Sequence, residues 1–322
     1  MPLSTSEQVN ATAEALLGGF QAAFGKHPGY RPAHSKGTLV TGTFTPTTEA
    51  AKLSKAQHFN SPTSITVRFS NSTGIPVIPD TDPNASPRGL GLRFNLGGRQ
   101  HTDIITHSTP FFPVKTGEDF LGFLGALGAN AAYKGESPTP LETFLGAHPE
   151  TLAFIQAPKP TAESFVGLSY FGVNAFKLIA ADGTVTTVRY QIHPTVGTKE
   201  LSAEELGTKS PNFLFEELPE RLAPGPVELK LVVQIAEEGD PTNDATVHWP
   251  ESRGVVELGT LKLEAIEPEP KNAEDQKYII YDPIPRVDGV EPSDDPLLDV
   301  RASLYLISGR ERRAAPELQI NL

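Results

Sequence analysis

The sequence has no cysteine, and its 322 residues include one methionine and one tryptophan. Without cysteine, disulfide bonds and thiolate metal sites are excluded. Few side chains remain that peroxide oxidises readily, which suits an enzyme that meets peroxide. Ordinary drift in composition explains the same scarcity equally well, so other observations must decide between the two explanations.

Positive charge is also scarce. The chain has 27 Lys and Arg residues but 39 Asp and Glu residues, which gives a formal net charge of -12. This balance argues against nucleic acid or an anionic membrane as a partner. No apolar run approaches the roughly 18 residues of a membrane span. The first residues lack the basic and apolar parts of a signal peptide. We therefore expect a cytoplasmic protein.

Turn residues divide the chain into predicted strands and helices. The length allows one domain or two. We predict strands at 37–45, 64–70, 89–96, 101–106, 170–180, 184–192, 227–235, 245–249 and 255–265. We predict helices at 5–25, 117–135, 138–156, 212–222 and 296–310, with an irregular, proline-rich connector at 268–292. Strands and helices in separate groups are typical of the α+β class.

The predicted strand at 64–70 carries an arginine on its polar side. Alternation places Ile65, Val67 and Phe69 on one face and Arg68 on the other. On this pattern alone Arg68 points into solvent. If its face is covered instead, the guanidinium needs an anion.

Arg301 and Tyr305 are four residues apart in the last predicted helix. Four residues advance a helix by about 400°, so the two side chains share a face. A tyrosine normally titrates near pH ~10. A phenolate that binds ferric iron therefore needs the metal's charge and a fixed cation beside it. Together with His34 near the other end of the chain, this pair suggests a haem site; alone, it could be an exposed helix face with an aromatic anchor.

Several blocks, in order, give the sequence from Arg31 to Arg312 a resemblance to the haem catalases. The blocks are RPAHSKG (31–37), TVRFS (66–70), PRGLGLRF (87–94), DIITHSTPFF (103–112), VNAFKL (173–178) and RASLY (301–305). The long N-terminal arm and the C-terminal domain of full catalases are missing, so the chain resembles the small catalase-related peroxidases. The resemblance implies an antiparallel closed β-barrel with surrounding helices, forming a single haem-binding domain over residues 1–322. It also implies a monomer or a homodimer.

The resemblance implies catalytic roles for three residues. His34 would be the distal base that moves a proton from one peroxide oxygen to the other, and Ser70 would hydrogen-bond to it. His107 stands where full catalases have the asparagine that orients peroxide. A register error of one residue would place Ser108 there instead, and the amide would still be missing.

The implied cofactor is haem, of the b type, with iron bound by Tyr305 and the phenolate stabilised by Arg301. Arg31, Arg68 and Arg312 match the arginines that bind the haem propionates. Arg312 shares the face of Tyr305 only if the helix continues past Gly309; otherwise it belongs to a solvated basic run. Two aromatic residues match cofactor contacts, although either could be ordinary core: Phe120 against the porphyrin and Phe112 on the distal side.

The implied activity is that of a haem peroxidase. It would reduce hydrogen peroxide or small organic hydroperoxides through a ferryl intermediate, with small organic molecules as one-electron donors. Because histidine replaces the asparagine amide, catalase activity should be weak. Two alternatives remain open: a fatty-acid hydroperoxide isomerase resembling allene oxide synthase, and a haem-binding protein without turnover. No Gly-x-Gly-x-x-Gly motif follows a predicted strand, so the sequence identifies no nucleotide site.

Overall fold

The computed structural model describes residues 2–316, and the structural statements below refer to these residues. Its strands are β1 (Gly37–Pro46), β2 (Thr63–Ser70), β3 (Gly89–Asn95), β4 (His101–His107), β5 (Tyr170–Phe171), β6 (Phe176–Ile179), β7 (Val185–Pro194), β8 (Val227–Ile235), β9 (Val255–Ile266) and β10 (Val290–Pro292). Its helices are α1 (Glu7–Phe24), α2 (Thr48–Leu53), α3 (Gly117–Ala132), α4 (Pro140–Ala147), α5 (Pro149–Gln156), α6 (Ala203–Gly207), α7 (Phe213–Leu222), α8 (Lys271–Tyr278) and α9 (Pro296–Ala314).

Eight antiparallel strands close into a barrel. They follow the order β1–β2–β3–β4–β5–β7–β8–β9, and β9 pairs again with β1. The short strands β6 and β10 extend the sheet beside β7. The predicted α+β class and closed barrel are therefore confirmed.

The interior of the barrel is filled with apolar side chains. The register of β2 with β3 places Ile65 opposite Phe94, Val67 opposite Leu92 and Phe69 opposite Leu90, and all six side chains are buried. Because strand residues alternate between faces, the polar residues of these strands point outward. The barrel interior is thus occupied by its own core, and a functional site must lie on the outer wall.

A helical layer covers part of that wall. Helices α1, α3 and α9 pack together through a second apolar cluster, which includes Leu16, Phe20, Leu124, Val300 and Leu304. Helix α1 starts where the Ser6 hydroxyl accepts the Val9 N–H at 3.3 Å. Helix α9 starts at Pro296 with Asp295 as its N-cap. These helices form the second wall of the site.

Four secondary-structure predictions were wrong in whole or in part. The predicted helix at 138–156 is two helices, α4 and α5, because Pro149 lacks an N–H and restricts His148 before it. The segment 245–249 is not a strand, and 170–180 holds two short strands. The connector 268–292 contains α8 and β10.

The last helix runs further than predicted, through Gly309 to Ala314. A side chain at Gly309 would clash with Ile280, so glycine is needed here for close packing of the helix. As a result Arg301, Tyr305 and Arg312 do lie on one continuous helix. Within the described range, no helix combines the length and the apolar character that crossing a membrane requires.

Candidate active site

His34 lies in the loop before β1, against the outer wall of the barrel. Its backbone has a φ of 53°, a left-handed conformation that is uncommon for histidine. Its Nδ1 atom is 3.1 Å from the Ser70 hydroxyl at the end of β2. A Cβ atom at Gly89 would lie 2.8 Å from that Nδ1, so the ring rests on the bare backbone of β3. Glycine at position 89 is therefore what allows the imidazole this close approach.

His107 ends β4 beside His34. Its Nδ1 accepts the backbone N–H of Thr109 at 3.3 Å. Burial lowers the pKa of His107 to about 3, and the neighbouring His34 and Arg301 add to the effect. The neutral ring must then carry its proton on Nε2, because Nδ1 is an acceptor. That Nε2 is buried without a partner in the described structure, so an N–H donor is available to a bound molecule.

The ring of His34 is also held neutral. Burial lowers its pKa to about 4, and the positive charges of Arg68, Arg31 and Arg301 add to the effect. A neutral imidazole can accept a proton at neutral pH. Because Nδ1 faces Ser70, Nε2 is the nitrogen left for that role.

Helix α9 carries the opposite wall. The Arg301 Nε–H donates to the Tyr305 hydroxyl at 3.1 Å. Another nitrogen of the same guanidinium donates to Asn174, whose amide donates to Asp295 at 2.8 Å. A chain of hydrogen bonds thus runs from Asp295 through Asn174 and Arg301 to Tyr305.

The sequence interpretation missed Asn174 and Asp295 as site residues. In the sequence, Asn174 lies inside the block VNAFKL and Asp295 directly precedes the last predicted helix, so neither position indicated a role in the site. Asp295 does cap α9, since one carboxylate oxygen accepts the Leu297 N–H at 3.0 Å. Its other oxygen binds Asn174, so the same carboxylate fixes both the helix start and the orientation of Arg301.

Three further arginines converge at one edge of the site, and we call Arg31, Arg68 and Arg312 the arginine cluster. Arg68 is 4% exposed, so the solvent orientation expected from alternation alone was wrong. Its Nη2 donates to the Ser35 carbonyl at 3.1 Å. Arg31 and Arg312 both donate to the Ile279 carbonyl, at 2.9 and 2.8 Å.

The arginine cluster has no matching negative charge among residues 2–316. None of its members lies within 4.0 Å of a carboxylate there. Burial lowers the pKa of Arg312 to about 8 and that of Arg31 to about 10, and Arg31 lowers the pKa of both other members. The guanidinium groups keep their protons at neutral pH. The lowered pKa values therefore mean that burying these positive charges costs free energy, and a bound anion would offset that cost.

The hydroxyl of Tyr281 lies close to the same cluster. It is buried and makes no hydrogen bond in the described structure. Burial raises the pKa of Tyr281, against the opposing charges of Arg93, Arg31 and Arg68. Sequence reasoning missed this residue, because its segment was interpreted as irregular connector.

The histidines on the barrel wall lie opposite helix α9. His34, His107 and Tyr305 keep some accessible surface, although burial strongly lowers the pKa of both histidines. The charge of Arg301 on α9 acts on both histidines, so the walls face each other.

The predicted aromatic residues lie beside His107 and helix α1. The rings of Phe112 and Phe120 meet edge to face at 5.4 Å, and Phe112 is 6.1 Å from the ring of His107. Phe120 also packs on Phe20 of α1 at 5.4 Å. The structure therefore brings all the predicted site residues around one region.

The donor set fits a flat cofactor that carries carboxylates. A phenol with an arginine beside it occupies one wall, two neutral imidazoles occupy the other, and the unbalanced arginine cluster marks one edge. These features define a class: a β-barrel protein with a candidate cofactor site between its outer wall and a helical layer.

The catalase family model matches residues 27–322, and the chain belongs to the catalase family. A catalase-related peroxidase of Synechococcus elongatus is 34% identical over 94% of this chain and 88% of that protein. One of Mycolicibacterium paratuberculosis is 34% identical over 94% of this chain and 95% of that protein. The predicted relation to catalase-related peroxidases is thus confirmed. A crystal structure of a fungal catalase shares the fold, with a TM-score of 0.76 at 21% identity, covering 89% of this chain and 60% of that chain.

Proposed function

We propose that this protein is a haem-dependent peroxidase that reduces hydrogen peroxide or small organic hydroperoxides with one-electron organic donors. The observation that carries the proposal is the buried arginine cluster without a counter-ion, in the same region as the Arg301–Tyr305 pair and two neutral histidines. The names of the similar peroxidases support the same reaction class. The proposal includes a single domain over residues 1–322, acting as a monomer or homodimer.

The cofactor in this proposal is haem b. Tyr305 would bind the iron, and Arg301 would stabilise its phenolate. The arginine cluster would hold the two propionates, with the Tyr281 hydroxyl as a further donor. Phe120 would contact the porphyrin and Phe112 would line the distal side. Bound haem supplies a redox-active iron that takes up the oxidising equivalents of the peroxide.

His34 would act as general base and then as general acid. Its Nε2 accepts a proton from one peroxide oxygen and returns it to the other, so that water leaves instead of hydroxide. The contact between Nδ1 and Ser70 fixes the plane of the ring. The low pKa of His34 keeps the base form available throughout the neutral range.

His107 would orient the peroxide. Its unpartnered Nε2–H can donate one hydrogen bond to a peroxide oxygen. An amide would add a carbonyl acceptor and a second N–H, which this ring lacks. Release of oxygen requires a second peroxide to be held in the same place. We therefore expect organic donors to reduce the oxidised enzyme faster than a second peroxide does, and catalase activity to be weak.

The test uses the haem-loaded protein, hydrogen peroxide and guaiacol, with absorbance and oxygen recorded together. The proposal predicts a rapid spectral change and two guaiacol molecules oxidised per peroxide. Oxygen release that exceeds guaiacol oxidation would overturn the preference for peroxidase over catalase. Rearrangement of a fatty-acid hydroperoxide without consumption of reductant would support an isomerase. A spectrum unchanged by peroxide would indicate a binding protein.

A further inference from the structure

A surface cleft borders the arginine cluster. It has a volume of about 240 Å³ and runs between the end of α1, the loop at 25–32 and the last turns of α9. Arg31 and Arg312 form part of its lining. The two arginines thus border both this cleft and the region assigned above to the propionates.

The cleft combines an apolar surface with a cationic floor. Leu17, Pro28, Pro32 and the ring of Tyr30 supply the apolar part. The carboxylate of Glu311, the acidic residue of the lining, pairs with Lys26 and accepts a hydrogen bond from Gln21 at 2.9 Å. The charge of Glu311 is therefore largely balanced, and the floor stays positive.

Both arginines keep a donor for a ligand. Arg31 uses Nη1 and Nη2 for carbonyl groups, at 3.0 and 2.9 Å. Arg312 uses Nε and Nη2, both at 2.8 Å. Arg31 Nε and Arg312 Nη1 make no hydrogen bond to any part of the chain between residues 2 and 316. A small molecule with an oxygen at one end could accept from either.

We propose that this cleft binds the electron donor, a single-ring phenol or hydroquinone, with its ring on the apolar surface and its oxygen toward Arg31 and Arg312. The volume is below the roughly 300–1,000 Å³ of clefts that take drug-sized ligands, so it suits one ring. The inference rests on the proposed function, since the oxidant is hydrogen peroxide consumed at the cofactor. Each phenol loses one electron and its hydroxyl proton. Two phenols and one hydrogen peroxide give two phenoxyl radicals and two waters.

The location explains how a donor could react without reaching the histidines. A ring at this position lies against the arginines that would hold the cofactor carboxylates. The electron then has a short path to the cofactor edge, while the distal side stays free for peroxide. Peroxide and donor thus occupy separate places.

The test measures hydroquinone binding directly, by ligand-observed NMR titration of the haem-loaded protein without peroxide. Two variants fill the cleft from different sides: Gln21→Trp on α1 and Ala314→Trp on α9. Ala22→Trp is the matched control, because Ala22 is exposed on α1 and is not part of the lining. The haem absorption spectrum of each variant shows whether the cofactor site is intact.

The inference predicts that both filling variants weaken hydroquinone binding at least tenfold and raise its KM in steady-state oxidation, while Ala22→Trp matches the wild type. Wild-type affinity in both filling variants would overturn it, as would the absence of hydroquinone binding to the wild-type protein. If hydroquinone binds in the cleft but peroxide oxidises no donor, the proposed function fails and the binding site stands.

Discussion

The pH dependence of the reaction with peroxide tests the role of His34. An ordinary histidine has a pKa of 6.5, whereas burial, with Arg68, Arg31 and Arg301, lowers that of His34 to about 4. The difference of about 2.5 units means that the protein favours the neutral ring over the charged ring by ~3 kcal/mol more than water does. The carboxylates of a bound haem would neutralise part of the arginine charge and so raise the pKa of His34. A bound haem would also bury His34 further, and burial, the largest cause of the shift, lowers that pKa. The pKa should therefore stay well below 6.5.

This shift changes the expected rate at pH 5. A histidine with the ordinary pKa would be only about 3% neutral there, whereas His34 should be about 90% neutral. We therefore expect the rate of spectral change after mixing with peroxide to stay level from pH 8 to pH 5 and to fall tenfold per unit only below pH 4. Stopped-flow absorbance on the haem-loaded protein measures it.

The matched control is His34→Gln, which keeps a polar side chain but has no titratable group. We expect it to bind haem and to react about 10²–10⁴-fold more slowly at every pH, the usual contribution of a positioned acid–base group. A wild-type rate that falls with a midpoint near 6.5, or a His34→Gln rate equal to that of the wild type, would refute the reasoning.

Three further predictions concern groups around His34, Arg301 and the arginine cluster. Gly89→Ala places a Cβ 2.8 Å from His34 Nδ1, so the ring must shift; stopped-flow should show at least a tenfold slower peroxide reaction with little change in Tm. Asn174→Ala leaves buried hydrogen-bonding groups of Asp295 and Arg301 unpaired, so urea unfolding should show a loss of about 1–3 kcal/mol; an unchanged unfolding curve would exclude this chain of bonds. Haem dimethyl ester, which lacks both negative charges, should bind at least tenfold more weakly than haem in a spectrophotometric titration, and equal affinity would show that the arginine cluster does not hold the carboxylates.

Local periodicity was enough to predict several parts of the structure. Alternation in β2 correctly placed Ile65, Val67 and Phe69 on one face, and in the structure all three are buried in the barrel core. Helical spacing placed Arg301 beside Tyr305, and their hydrogen bond follows from it. Both patterns depend on residues a few positions apart, which is the range over which sequence alone determines geometry.

Other parts depend on tertiary contacts that no local pattern shows. Arg68 is buried because distant segments cover its face of the sheet; its Nε donates to Gln276, 208 positions away. Asn174 and Asp295 are 121 positions apart. Helix α8 is almost wholly polar, so it lacks an apolar stripe, and its carbonyl groups instead accept hydrogen bonds from Arg31 and Arg312. The resemblance, not periodicity, indicated the arginine cluster.

The central claim is that a haem lies between Tyr305 and the two histidines. The absorption spectrum of the haem-loaded wild type, compared with that of Tyr305→Phe at equal haem content, tests it most directly. We predict a high-spin ferric spectrum for the wild type and a different Soret band for Tyr305→Phe, because the variant has no phenolate to bind iron. Superimposable spectra would contradict the account.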